Sequence, residues 1–304
     1  MAVVSSDVTA LYADIMGSLV PYYEDQVLLP NSSFIRNFYD ITGNGSGNTI
    51  KIPLVNAYTN GQTVGDGVSI SSVAAAQNDF IPTSVDLAMT KKGSWTDITG
   101  EAVEDGSTSL VRNQVISRLA GGIAQAIDIS GFAELAGSGA TDYGNTTASA
   151  TLERNVVMGP DSLAYGVRRE PTVNAFYNND KDQHEFRATV RAGFKALAAS
   201  RIALVGSSNV IGQATENADL ADFQKAVSNL RAGNVPSMDG SMYAAFIGPA
   251  TEYKLVTELN HAGAVNIPSL SEMGNQALLT SILGSAVGCM FFRTNNLTVS
   301  DNPA

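Results

Sequence analysis

The sequence predicts an α+β fold organised around one long helix and one long β-hairpin. Three patterns carry that expectation. Apolar residues alternate at Ile50, Ile52 and Leu54, and again at Val85, Leu87 and Met89, which marks two strands with one face toward a core. A four-residue rhythm at Val111, Val115, Leu119, Ile123 and Ile127 draws an apolar stripe along a helix. Beyond residue 219, helical and strand patterns alternate as in an α/β unit.

In chain order, residues 1–44 read as an arm. A short amphipathic helix (Val8, Leu11, Ile15, Leu19) runs into Pro21, and its apolar side needs some other surface to lie on. Residues 45–93 read as the hairpin, whose strands "TIKIPLV" and "SVDLAMTK" are joined by "NAYTNGQTVGDGVSISSVAAAQND". A connection of that length without a core pattern is uncommon in a compact domain, so it is expected to project as a finger. The long helix is expected over 107–135, capped by Ser107 or Thr108 accepting from a free backbone N–H. At 1.5 Å per residue, roughly 29 residues make a rod on the order of 43 Å long. Its centre holds Gly121 and Gly122, each costing about 1 kcal/mol relative to alanine.

Residues 151–205 read as mainly β. "RNVVMGPDSLAYGVRREP" is a strand interrupted at Gly159-Pro160, while "TVNAFY" and "HEFRATVR" flank Asn178-Asn179-Asp180 as a hairpin. "RIALV" is a buried strand. A helix with Leu220, Phe223, Val227 and Leu230 follows, with Asp219 at its start and Gly233 at its end. The strand "MYAAFI" leads into a helix with Pro249 in its first turn. A helix around Leu278, Leu279, Ile282 and Leu283 and the strand "AVGCMFFRT" complete the pattern.

At 304 residues the chain can bury a sizeable core. Its net charge of −11 argues against tight nucleic-acid binding, which rewards Lys and Arg at phosphates, and against a basic membrane-binding face. The single cysteine, Cys289, excludes an intramolecular disulfide and fits a reducing compartment; its apolar strand marks it as inert core. The N-terminus has no positive n-region and carries Asp7 and Asp14, so no signal peptide is expected. No apolar run reaches the ~20 residues of a membrane crossing.

Templates for chemistry fail in turn. His184 and His261 belong to no HExxH, because position 188 is alanine, and with one cysteine they make no zinc set. There is no GxxxxGK[ST] or GxSxG; "TGNGSGNT" leads into a strand, whereas a phosphate cradle leads into a helix. His184 and Glu185 are adjacent in an alternating strand and point to opposite faces. Glu101, Glu104 and Asp105 read as solvated or helix-start charges. Arg168, Arg169, Arg187 and Arg191 fall on neighbouring strands, with two roles open: pairing with acidic groups on another subunit, or a plain surface role. No catalytic residue, cofactor or metal is assigned, and the protein is not expected to be an enzyme.

The order of arm, hairpin, "KKGSWTDITGEAVEDG", the helix ending "AIDISGFAELAGSG", and the block "VVMGPDSLAYGVRREPTV…FRATVRAGFKAL" resembles the major capsid proteins of tailed bacteriophages (Caudoviricetes), a fold shared with encapsulin shells. The resemblance implies a phage major-capsid fold. It has an N-terminal arm (1–44), an extended β-hairpin loop lying over an adjacent subunit (45–93), a peripheral domain (94–193) with spine helix 107–135 and long strands, and an α/β axial domain (194–304). It implies self-assembly, as pentamers and hexamers, into an icosahedral shell around double-stranded DNA held without tight specific binding. Procapsid maturation, a separate scaffolding protein, a portal and cement or decoration proteins belong to the same implication. So do a place in the virion and assembly in the host cytoplasm. A bending spine helix gives Gly121 and Gly122 a hinge role; close packing of a strand across them is the other reading.

Two departures stand out. The family order is expected to put the axial segment directly after the spine helix and the "GPDSLAYGV…GFKAL" block last. Here the block comes first, which implies either a permuted segment order or a mismatched block. The finger from Tyr58 to Asp79 has no lysine, so the covalent cross-link of some members is not expected. An encapsulin-like compartment is the first alternative, followed by a tail or decoration component and by a soluble hydrolase or ligand-binding protein.

Overall fold

The computed structural model describes residues 19, 21, 23, 28–30, 35–40, 47, 49–54, 66, 83–99, 101, 108–144, 152–178, 180–208, 210–211, 217–237, 241–262, 285–297 and 299–300. The expected arm helix before Leu19, nearly all of the finger, Ser107, Glu104, Asp105 and the helix around Leu278 lie outside these residues.

Four strands come first: β1 (Ile35–Asp40), β2 (Thr49–Leu54), β3 (Thr83–Ala88) and β4 (Thr90–Thr99). Helix α1 (Thr108–Ala136) follows, then β5 (Thr141–Asp142), β6 (Leu152–Met158), β7 (Leu163–Asn178), β8 (Gln183–Ala196) and β9 (Ile202–Ser208). The last part holds α2 (Leu220–Ala232), β10 (Tyr243–Ile247), α3 (Pro249–Ala262), β11 (Ser285–Ala286), β12 (Cys289–Arg293) and β13 (Val299–Ser300). The expected hairpin is present, with Ile50 opposite Leu87 and Ile52 opposite Val85. The long helix matches its expected span to within one residue at each end.

The larger strands form two sheets. One runs β1-β7-β8-β4, with β1 parallel to β7 and the rest antiparallel. The other runs β11-β12-β10-β6-β9-β5, with β13 beside β6. Alternation along β8 places Phe186, Ala188, Val190 and Ala192 on the inner side, in the core that α1 shares. Every residue of β9 and β10 is buried, because the second sheet is covered on both faces. Val156, Met158, Ile202, Leu204, Ala244 and Phe246 join the core of α1. Val157, Ala203, Val205 and Ala245 face α2 through Phe223, Ala226, Val227 and Leu230. Asp219 caps α2 by accepting from Asp222 N at 3.0 Å, the reciprocal box its position predicts.

The structure corrects the sequence reading in three places. The stretch read as one interrupted strand divides between sheets: β6 belongs to the second and β7 to the first. Gly159 and Asp161, whose φ is +56°, turn the chain between them. Gly159 packs so closely on Val235 and Pro236 that a side chain would collide. The long-strand region 94–193 therefore contributes β5 and β6 to the same sheet as β9 and β10. Second, the base of the arm has its own surface: Leu19, Tyr23 and Leu29 are buried in the α1 core. Third, "AVGCMFFRT" is a tight hairpin, not one strand, because Val287 and Gly288 both take positive φ, as a two-residue hairpin turn requires.

Helix α1 is unbroken across Gly121 and Gly122. A Cβ on Gly122 would sit 2.5 Å from Ser94 Oγ and 3.0 Å from Ser94 Cβ, so β4 lies directly over this position. That geometry favours close packing as the reason for the second glycine.

Two stability predictions follow from this packing. Alanine is the better helix former by about 1 kcal/mol, yet Gly122→Ala should destabilise by about 1 kcal/mol because Ser94 must move. In a urea-unfolding double-mutant cycle, Ser94→Gly should relieve that cost, with a coupling of at least about 0.5 kcal/mol; independent effects would rule out the close approach. Glu153 in β6 is 5 % exposed and lies against Gly248, and among the described residues its carboxyl has no hydrogen bond. Burial pushes its carboxyl up from 4.5 to about 7. The folded state then favours the neutral acid, so its contribution is intact below about pH 4.5 and is lost as pH rises through about 7. Glu153→Gln should gain on the native chain across that window, by on the order of 3 kcal/mol at pH 8. Stability curves that keep a constant offset from about pH 4 to pH 8 would refute it.

Candidate inter-subunit surface

The outward face of the first sheet is the place where side chains with no role in the core collect. On β4 the exposed positions are Thr90, Lys91, Gly93, Trp95, Asp97 and Thr99, while Thr96 points inward and is buried. Register then fixes their neighbours. Trp95 lies opposite Arg187, and Arg187 lies opposite Asn174 on β7. Lys91 lies opposite Arg191, and Arg191 opposite Arg169, so three cations stand in one row across three strands. Like charges directly opposite one another destabilise a sheet.

The sequence-predicted arginines separate into two groups here. Arg169 Nη2 donates to Thr189 Oγ1 at 2.8 Å. Arg187 Nη2 donates to Glu185 Oε2 at 2.6 Å, and its guanidinium lies 5.2 Å from the centre of the Phe176 ring. Arg169, Arg187 and Arg191 share the outer face. Arg168 stands apart: it is half-buried where the register slips between Val167 and Arg169, and its Nη1 has no hydrogen-bond partner. A second slip before Thr172 coincides with Pro171, which has no N–H for the ladder.

Trp95, the only tryptophan, is 67 % exposed, and Phe176 and Tyr177 are about half exposed. Together with Lys91, Asp97, Lys181, Glu185 and Arg187, Trp95 lines a shallow cleft of about 430 Å³ on this face. Asn178 and Arg187 hold the Glu185 carboxyl below its ordinary range by hydrogen bonding to it. His184 stacks beside Tyr177, with ring centres 4.9 Å apart, and the Tyr177 hydroxyl donates to Asp182. His184 and Glu185 thus serve separate neighbours and form no acid–base pair. Glu101 is exposed. Cys289 is fully buried, and burial pushes its thiol up to about 12, well away from a reactive thiolate. Among the described residues, no three His, Cys, Asp or Glu side chains converge as a metal set, and no helix is long and apolar enough to cross a membrane.

Sequence reasoning selected the arginines but passed over Trp95 and Lys91. Their signal was the phase of "TKKGSWTDIT", in which a tryptophan takes an outward position in an alternating strand.

No family model and no curated protein sequence matches the chain. Solved structures do. The capsid of bacteriophage JBD30 is similar over 87 % of this chain and 90 % of that one, at 10 % identity and a TM-score of 0.51. The procapsid of the same phage matches over 84 % and 90 %, at 11 % identity and a TM-score of 0.48. A virus-like particle from Pyrococcus furiosus matches over 64 % and 98 %, at 8 % identity and a TM-score of 0.40. In the course of its backbone, this chain has a bacteriophage capsid fold.

Proposed function

We propose that the protein is a structural capsid subunit. Copies assemble, as pentamers and hexamers, into an icosahedral shell enclosing double-stranded DNA in a virion. The observation that carries this reading is the likeness to the JBD30 capsid along nearly the whole of both chains. A non-enzymatic role fits the outer face, where charge and aromatic surface are laid out broadly instead of converging on one reacting atom.

The division of labour between subunits follows from the outer face. The row Lys91–Arg191–Arg169 is repulsive within one subunit, and the chain as a whole carries −11. An acidic surface of a neighbouring copy is complementary to this cationic row, and the exposed ring of Trp95 gives the contact an apolar anchor of the kind that dominates interfaces. Negative net charge keeps the wall from gripping packaged DNA, at a range set by a Debye length of about 10 Å. A separate scaffolding protein, a portal and cement or decoration proteins complete the assembly. In this reading the extended loop at 45–93 lies over the adjacent subunit, and the arm, peripheral and axial regions keep their expected roles. The segment-order conflict keeps both of its explanations, a permuted order or a mismatched block, since β7 and β8 of that block lie together in one sheet. Gly121 and Gly122 remain candidates for bending during procapsid maturation.

Negative-stain microscopy of the purified chain, alone and with a scaffolding partner, tests the reading. Closed particles with nuclease-protected DNA after assembly in cells are the expected result; closed particles that protect protein cargo instead point to an encapsulin-like compartment. A chain that stays monomeric under both conditions overturns the proposal. Trp95→Asp combined with Arg169→Glu should leave stability within about 0.5 kcal/mol, as surface changes do, yet abolish particle closure. Unchanged closure returns this face to a plain surface role.

A further inference from the structure

The core around α1 contains one charged group that neither the fold nor the shell reading uses. Asp128 is 1 % exposed, in a row of otherwise apolar or small residues that runs through Ala120, Ala124, Phe132 and Ala136. Its two oxygens are both committed to the base of the arm. Oδ2 accepts from Leu28 N and Oδ1 from Leu29 N, each at 3.1 Å. The Asn296 side chain also bonds to it, while no cation pairs with it among the described residues.

One helical turn further on, Gly131 provides a matching notch. A Cβ there would come within 2.5 Å of Leu29 Cδ1 and 3.3 Å of the Phe194 ring, so Leu29 occupies space that only glycine leaves open. Leu29 is fully buried in that space, and the Tyr23 hydroxyl lies 3.4 Å from the Tyr165 hydroxyl along the same path. Polar clamp and apolar notch thus meet at Leu29.

We propose that Asp128 and Gly131 form a strap site, a two-part receptor on α1 that holds Leu28 and Leu29 to their own subunit and can release them. The choice of a carboxylate is what makes the contact reversible. Docked, it accepts from two backbone N–H groups at a cost in hydration; undocked, water satisfies it, so detachment leaves no stranded polar group. An apolar residue at 128 could pack but would leave the Leu28 and Leu29 N–H groups without this acceptor, while the fit of Leu29 to the Gly131 notch sets the register. The strap extends beyond the shell reading and does not depend on it.

Hydrogen–deuterium exchange on the soluble, unassembled chain tests it. In Asp128→Ala and in Gly131→Leu, amides of peptides covering 28–30 should exchange at least roughly tenfold faster, with β7 and β8 peptides unchanged. The two variants disable different halves of the receptor, so agreement between them identifies release of the strap. Exchange at 28–30 that stays at the native rate in both variants overturns the proposal. A rise spread evenly over α1, β7 and β8 also overturns it, because it marks ordinary core packing with no local strap. Should Gly131→Leu fail to fold, Gly131→Ala gives the same readout with a smaller intrusion. Because no particle need form, failure here is distinguishable from failure to build a shell.

Discussion

A helix that buries two residues at every fourth position cannot keep one face toward one partner. Helix α1 buries Val115–Ile116, Leu119–Ala120, Ile123–Ala124, Ile127–Asp128, Gly131–Phe132 and Leu135–Ala136. Four residues advance an α-helix by about 400°, so the buried stripe drifts by roughly 40° at each step and by on the order of 200° from Val115 to Leu135. The middle of the helix accordingly meets β4, where Ser94 lies over Gly122. Its last turns meet the second sheet, where Phe132 packs edge-on against Phe246 with ring centres 5.4 Å apart, and Arg154 Nη1 bonds to Ala136 O. One rod thereby joins two sheets that share few other contacts. The Lys195–Glu134 pair at 2.6 Å adds little, being partly exposed; the buried apolar side chains supply most of the stabilisation, at about 1.5–3 kcal/mol each.

The same drift explains what the sequence made legible and what it hid. Strand alternation at 50–54 and 85–89, the capping box at Asp219 and the continuous apolar runs of β9 and β10 are local signals, and each corresponds to an element in place. The four-residue rhythm revealed α1, but only its first row. The second row, Ile116, Ala120, Ala124 and Phe132, is interrupted by Asp128, which reads in isolation as a solvent-facing charge. Its partners are two backbone amides about a hundred positions earlier, and backbone amides leave no mark on a sequence. Gly131 is silent for a related reason: a glycine in a helix announces a cost without naming the side chain that fills the gap. The split at Gly159–Asp161 was more accessible. Val156, Val157 and Met158 form a continuous apolar run, as in a strand covered on both faces, whereas the alternation of β7 beyond Val167 suits a sheet with one face open.

On the candidate surface, register did what spacing could not. Four arginines on neighbouring strands can be read from "GVRREP" and "FRATVR", but whether they share a face depends on slips in the ladder. The slip between Val167 and Arg169 removes Arg168 from the row, and the alignment of β4 with β8 adds Lys91 to it. The outcome is a face whose composition differs sharply from the other side of the same strands. On β8 the inward positions are Phe, Ala and Val, joined on β4 by Ser94, Thr96 and Ile98; outward positions on the two strands include Trp, Arg, Lys, Asp and Thr.

That contrast bears on why so large an apolar ring remains in water. Moving Trp95 inward by a one-residue slip of β4 would also turn Lys91 and Asp97 toward α1, since strand register shifts all side chains together. The outward tryptophan is therefore fixed by the needs of its neighbours, and its exposure cannot be relieved within the subunit. The row Lys91–Arg191–Arg169 is held in register in the same way, because the inner face of β8 pins Arg191 through Val190 and Ala192. A sheet locked on one side by its core thereby fixes what its other side presents to solvent.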